Sequence, residues 1–155
     1  MSGMLCSFAF AGCSPGNSED DPDTSSQEMD EQTIVTVSGG QIGGYAEDNL
    51  YIYKGIPYMA SPVGELRWQE PRPATSWEGV KACMEYGPDF YQAINAGGAA
   101  VSEEEGLTMN IWAPADLSTA KEVLVYIHGG ALMAGSGSSP EYDGTQIAKE
   151  GVVYI

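Results

Sequence analysis

The chain runs Val123-Leu124-Val125-Tyr126-Ile127 straight into His128-Gly129-Gly130-Ala131, an apolar run that stops abruptly in a turn of small residues. A continuous apolar run of this length reads as a strand buried on both faces, which places it inside a parallel or mixed sheet. The turn behind it is built to expose backbone N–H groups, because glycine-type conformations free them from the chain's own carbonyls. Prearranged backbone donors are what stabilise the negative charge that develops on oxygen during acyl transfer. Strand and turn together point to an acyl-transfer hydrolase.

Working outward, Asp143 to Gly151 has the length of a short helix with a C-terminal glycine, and Val152-Val153-Tyr154-Ile155 starts another strand. Strand, loop, helix and strand make a βαβ unit. The chain stops inside that last strand, and we expect these 155 residues to be the front part of a longer enzyme. The chemistry supports the same expectation. Acyl hydrolases of this kind need a serine on a G-x-S-x-G elbow, a histidine base and an acid that orients it. Ser136, in Ala134-Gly135-Ser136-Gly137-Ser138, lacks the outer glycines, and the sole histidine, His128, belongs to the turn. Nucleophile, acid and base are expected beyond Ile155.

Toward the N-terminus, Ile34-Val35-Thr36-Val37, Gln41-Ile42-Gly43-Gly44-Tyr45 and Leu50-Tyr51-Ile52-Tyr53 are β-rich segments separated by glycine or Asx turns, which reads as a small antiparallel meander. Residues 59–80 hold Pro62, Pro71 and Pro73 with Trp68 and Trp77, a composition that forms ordered loops with the tryptophans as packing anchors. Met109-Asn110-Ile111-Trp112 is a further strand, ended by Ala113-Pro114. The fold class that results is α/β, a meander leading into a mixed central sheet.

Six basic against 22 acidic residues give a net charge of −16, with no basic stripe, so phosphate backbones are repelled and nucleic acid is excluded as a partner. An apolar content of 43%, with three Trp, nine Tyr and three Phe, suffices for a core. One histidine and scattered acids make no metal-ligand set, and no phosphate-cradling glycine pattern opens a helix, so neither metal nor cofactor is expected. The lone Cys83 reads as a small buried hydrophobe. Seven acids lie between Glu19 and Glu31. Residues 14–32, rich in Pro, Ser and Asp, are expected to be a disordered acidic linker, with the folded part at 33–155. Residues 1–13 end in Ser7-Phe8-Ala9-Phe10-Ala11-Gly12-Cys13, which resembles the lipobox of bacterial lipoproteins. Cys13 is then the lipidated residue, and the protein is anchored to membrane in the cell envelope or secreted. Phe10 stands where a leucine-type residue is usual and no Lys or Arg precedes it. A plain apolar N-terminus is the alternative.

Several further motifs occur in one order. Gly55-Ile56-Pro57-Tyr58 resembles GIPYA, Ser61-Pro62-Val63-Gly64-Glu65-Leu66-Arg67-Trp68 resembles PPVGxLRF, and Leu107-Thr108-Met109-Asn110-Ile111-Trp112-Ala113-Pro114 resembles LTLNIWTP. Tyr126 to Leu132, Gly135-Ser136 and Tyr142-Asp143-Gly144 follow. With these motifs over roughly residues 33–155, the chain resembles the type-B carboxylesterases, the para-nitrobenzyl esterase and cholinesterase-like branch of the α/β-hydrolase fold. The resemblance implies hydrolysis of a small carboxylic ester by a serine acyl-enzyme mechanism. It assigns the oxyanion donors to the backbone N–H groups of Gly130 and Ala131, with Gly129 permitting the turn and His128 shaping it. A non-catalytic cholinesterase-like adhesion protein is the alternative on the same scaffold.

Two further points follow from the resemblance. Many members carry a disulfide between a GPxCxQ segment and an SEDCL segment. Here these read Gly87-Pro88-Asp89-Phe90-Tyr91-Gln92 and Ser102-Glu103-Glu104-Glu105-Gly106-Leu107, with Phe90 and Gly106 in place of the cysteines. The family also pairs the arginine of LRF with the glutamate of SED, which assigns a structural ion pair to Arg67 and Glu104. The acidic run leaves Glu103 and Glu105 open as partners.

Overall fold

A computed structural model describes residues 27–92 and 101–155. Residues 1–26, with Cys13 and most of the acidic linker, lie outside the described residues. The β-rich segments form strands β1 (Val35–Val37), β2 (Gly40–Gly43), β3 (Tyr45–Glu47), β4 (Leu50–Pro57), β5 (Val80–Ala82), β6 (Asp89–Phe90), β7 (Val101–Ser102), β8 (Thr108–Pro114), β9 (Val123–Leu124) and β10 (Val153–Tyr154). The helix α1 (Thr145–Lys149) lies between β9 and β10.

The central sheet runs β3-β4-β8-β10-β9. Its first four strands are antiparallel neighbours, and β10 pairs with β9 in parallel. The sheet is mixed, and β9, α1 and β10 make the βαβ unit. The meander divides at Gly43-Gly44. β1 and β2 pair antiparallel and take β5 alongside β2 in parallel, while the β3–β4 hairpin supplies one edge of the central sheet. Asp48 and Asn49 turn that hairpin with φ of 50° and 63°, the left-handed pair that a two-residue hairpin loop demands and Asx residues tolerate best.

Packing centres on Trp112, which is 2% exposed. On β8 it lies opposite Ile52 of β4 and Tyr154 of β10, and it shares a cluster with Tyr45, Leu50 and Ala148. Gly144 precedes α1 under this ring: a Cβ there would lie 2.8 Å from Trp112 Cε3 and 2.9 Å from Cδ2. A second cluster joins Ile42, Tyr53, Ile56 and Cys83. Cys83 is a buried free thiol, and burial pushes its pKa up, which makes it a poor nucleophile.

Two expectations need correction. The linker expected to reach residue 32 ends earlier. Asp30 caps a 3-10 turn over Glu31–Thr33 by accepting from Gln32 N, and the Thr33 side chain is fully buried. Thr33 Oγ1 donates to the Asp30 carbonyl and accepts from Gly44 N at 2.8 Å, so this segment belongs to the fold. Of the two tryptophans, only Trp77 is an anchor, its Nε1 donating to Gln41 O at 2.7 Å. Trp68 is 90% exposed, with φ of 62°; the 3-10 turn before it points the ring outward beside Arg67. The apolar segment pairs with β10 over Val123–Leu124, and Tyr126 N donates to Ile155 O at 2.7 Å; side chains 123–127 are exposed among the described residues. The helix α1 packs on β8, β10 and β4, and no described element lies across Val125 or Ile127.

Gly144→Ala is expected to destabilise the protein by about 1–3 kcal/mol, since the added methyl overpacks a rigid indole. Denaturant unfolding measures it, and an unchanged midpoint contradicts the packing described. Alkaline stability gives a second test. Tyr53 donates its hydroxyl to Thr33 O at 2.8 Å, and burial, with Tyr51 nearby, pushes its pKa from 10.0 up to about 12. A raised folded-state pKa means that the unfolded chain loses this proton first. The stabilisation is therefore intact below pH 10 and lost as pH rises toward 12. Between those limits the wild type should lose about 2–3 kcal/mol more than Tyr53→Phe, read from urea unfolding at stepped pH.

Candidate active site

The turn after β9 lies along an open cleft of about 880 Å³. Tyr58, Trp112, Tyr126, Tyr142 and Tyr154 contribute aromatic walls. Tyr126 meets Tyr142 in a tilted pair at 5.0 Å between centroids and stacks near Tyr154 at 6.3 Å. Burial pushes the Tyr58 and Tyr154 phenols up. Among the described residues no three His, Cys, Asp or Glu side chains are gathered to hold a metal ion.

At the turn itself Gly130 has φ of 132°, and Ala131 and Leu132 are left-handed at 55° and 61°. Three successive positive φ values curl the chain so tightly that Gly130 O accepts from both Met133 N at 3.0 Å and Ala134 N at 3.2 Å. Among the described residues, the N–H groups of Gly130 and Ala131 donate to no protein acceptor. Turned-out N–H groups in such a concave backbone suit an anion. Gly130 is a glycine for two reasons, its φ and the close approach of the Ala134 carbonyl carbon, 2.6 Å from where a Cβ would sit. Gly129 has open space at its Cβ position. Proline, with φ near −65°, cannot occupy position 131, so only a replacement that keeps positive φ probes that site cleanly.

His128 faces the turn, with Nδ1 2.8 Å from Gly129 O. Behind it, residues 135–138 are gripped from two other segments. Gln92 Oε1 accepts from Gly135 N at 2.8 Å and its Nε2 donates to Gly135 O at 3.0 Å. Ser136 Oγ donates to Asp89 Oδ1, and Ser138 N donates to Ser136 Oγ at 3.0 Å. Asn110 accepts from Gly55 N at 3.0 Å and donates to Gly137 O at 3.2 Å. Ser136 is thus buried in a structural contact. Asp89 is also buried, and its Oδ2 meets no partner among the described residues. Sequence reading missed Asp89, Gln92 and Asn110 as supports. Asp89 and Gln92 stood in the segment read only for its absent cysteine, and Asn110 in one read only as a strand.

The assigned ion pair needs correction. Arg67 Nη1 lies 3.2 Å from Glu103 Oε1, and Glu104 is not its partner. Ser102 Oγ accepts from the N–H groups of both Glu104 and Glu105, while Glu104 O accepts from Ser61 Oγ. That backbone turn puts the Glu103 carboxylate on Arg67. Both side chains are well exposed, so the pair contributes little to stability. The positions of the two absent cysteines still meet: a Cβ on Gly106 would lie 2.5 Å from Phe90 Cα, and β6 pairs with β7 in parallel nearby.

Comparison with known proteins identifies the family. The sequence profile of the Carboxylesterase family matches residues 31–155. The chain is 39% identical over 126 residues to phenmedipham hydrolase of Pseudarthrobacter oxydans, covering 76% of this chain and 26% of that protein. It is 37% identical over 127 residues to para-nitrobenzyl esterase of Bacillus subtilis, covering 79% of this chain and 26% of that protein. Among solved structures, a PNB esterase superposes with a TM-score of 0.73 at 38% identity, over 79% of this chain and 26% of that one. A carboxylesterase of Geobacillus stearothermophilus superposes with a TM-score of 0.71 at 44% identity and the same coverage. The chain spans about a quarter of the length of the relatives it matches. It belongs to the carboxylesterase family, as part of an α/β-hydrolase fold.

Proposed function

We propose that these residues supply the oxyanion-stabilising turn of a longer serine carboxylesterase acting on a small carboxylic ester. The observation that carries the reading is the turn at Gly130-Ala131, whose N–H groups donate to no described protein acceptor and border an aromatic-walled cleft. In the reaction a serine hydroxyl loses its proton to a histidine as its oxygen bonds to the acyl carbon, and the carbonyl π pair moves onto oxygen. Gly130 N–H and Ala131 N–H meet that oxyanion. The intermediate expels the alcohol, which takes a proton from the imidazolium, and water then releases the acid from the acyl-enzyme. Serine, histidine and acid come from outside these 155 residues. His128 and Gly129 shape the turn and take no proton.

Substitutions separate donor geometry from bulk. In the full-length protein, Gly130→Ala forces a methyl against the Ala134 carbonyl and displaces the donors, so kcat for a p-nitrophenyl ester is expected to fall on the order of 10²–10³-fold. Ala131→Gly keeps the N–H and relieves a left-handed alanine, so activity should stay within a few-fold while stability rises by about 1 kcal/mol. Equal activity in all three proteins contradicts the assignment. A full-length sequence whose elbow lacks serine, with no hydrolysis, points instead to the adhesion-type reading.

We also propose that Cys13 carries a lipid that holds the protein to the cell envelope, on the strength of Ala11-Gly12-Cys13 and the acidic stretch behind it. Wild type should partition into the detergent phase of a Triton X-114 extraction, and Cys13→Ala should not. A wild type wholly in the aqueous phase contradicts this.

A further inference from the structure

Gln92 does more than tie down a loop. Its carboxamide grips both backbone groups of Gly135, accepting from the N–H and donating to the carbonyl. Its Nε2 also lies 3.3 Å from Phe90 O, so two carbonyls fix which end of the amide is nitrogen. Gly135 has no slack on its other side. A Cβ there would lie 2.5 Å from Gly129 O and 2.5 Å from His128 Nδ1, so its backbone is seated directly against the start of the turn. Position 135 also closes the turn, directly after Ala134, whose N–H is bound to Gly130 O. A displacement of Gly135 therefore moves Gly129, and with it the Gly130 and Ala131 donors.

We propose that Gln92 is a positioning residue for the oxyanion turn, setting where the Gly130 and Ala131 N–H groups point through its two-bond clamp on Gly135. The inference rests on the esterase reading above. It deepens that reading by assigning the aim of the donors to a side chain 38 residues earlier in the chain. Gln92 touches neither substrate nor reacting atoms.

The test compares full-length wild type, Gln92→Met, which keeps the length and removes both bonds, and Gln92→Glu, which keeps the acceptor for Gly135 N–H but not the donor. Rates are expressed per active serine titrated with diethyl p-nitrophenyl phosphate, so partial unfolding does not enter. For p-nitrophenyl butyrate, kcat of Gln92→Met should fall on the order of 10- to 100-fold, as expected for misplaced donors. KM should change by less than about three-fold, since the loss is confined to the transition state. Gln92→Glu should fall between the two. Affinity for an alkyl trifluoromethyl ketone, whose serine adduct places an oxyanion in the turn, should drop in parallel with kcat. If Gln92→Met does not fold, the same two readouts on Gln92→Glu decide. Wild-type kcat and inhibitor affinity per active site in the folded variant overturn the clamp and leave the esterase reading intact. A wild type that neither hydrolyses the ester nor titrates overturns the esterase reading, and the clamp with it.

Discussion

The backbone row through Trp112 is the constraint on which the site depends. Ile52, Trp112 and Tyr154 lie opposite one another across β4, β8 and β10, and the indole fills the space that Gly144 leaves at the start of α1. Side chains alternate faces along a strand, so a slip of one residue would turn Trp112 outward and leave Gly144 facing a void. The same alternation sends Asn110, two residues earlier on β8, to the face that carries Trp112. From there its amide reaches Gly137 O. Core packing and support of the turn are thus consequences of one register.

The turn stores backbone strain, and its supports are of matching size. Ala131 and Leu132 are left-handed, a conformation that costs an L-residue about 1–2 kcal/mol each. Opposing this are the two bonds from Gln92, that from Ser136 to the Asp89 carboxylate and that from Asn110, at about 0.5–1.5 kcal/mol net for each. The two sums are about equal, a few kcal/mol each. The conformation of the turn is therefore held by the grip on residues 135–138 and not by any preference of the turn residues themselves. On the proposed esterase reading, N–H groups held this way need no reorganisation during reaction.

What was legible in the sequence was local. The apolar run to Ile127, the glycine turn and the β-rich hairpins carry short-range patterns, and the family motifs named the fold. The rest depends on contacts between distant segments. Nothing in the spacing of Gly39-Gly40 to Gly43-Gly44 shows that β2, while paired with β1, takes β5 and not β3 on its other side, because parallel pairing is a long-range choice. Trp68 and Trp77 look alike in a proline-rich stretch, and only the turn before Trp68 decides that its ring faces water. The acidic run offered three glutamates to Arg67, and a hydroxyl, Ser102 Oγ, sets which one faces it. Gln92, Asp89 and Asn110 were hidden for another reason. Gln92 and Asn110 bind backbone groups, which side-chain chemistry does not single out, and Asp89 binds the hydroxyl of a serine 47 residues later.

The loop between Phe90 and Gly106 shows how the pieces depend on one another. Its two ends meet where the resemblance places a disulfide, and closing a loop of about 15 residues without one leaves the unfolded chain roughly 3 kcal/mol more entropy to lose. In the folded protein that cost falls on non-covalent contacts: β6 with β7, Ser61 on Glu104 O, and the close approach of Gly106 to Phe90. The segment so closed is also the one that carries Asp89 and Gln92. Holding the loop and holding the glycine turn are therefore a single free-energy balance, in which loosening either end weakens the other. Among the described residues no bond in that balance is a disulfide, so packing and hydrogen bonding hold the turn at residues 129–135 together with the loop.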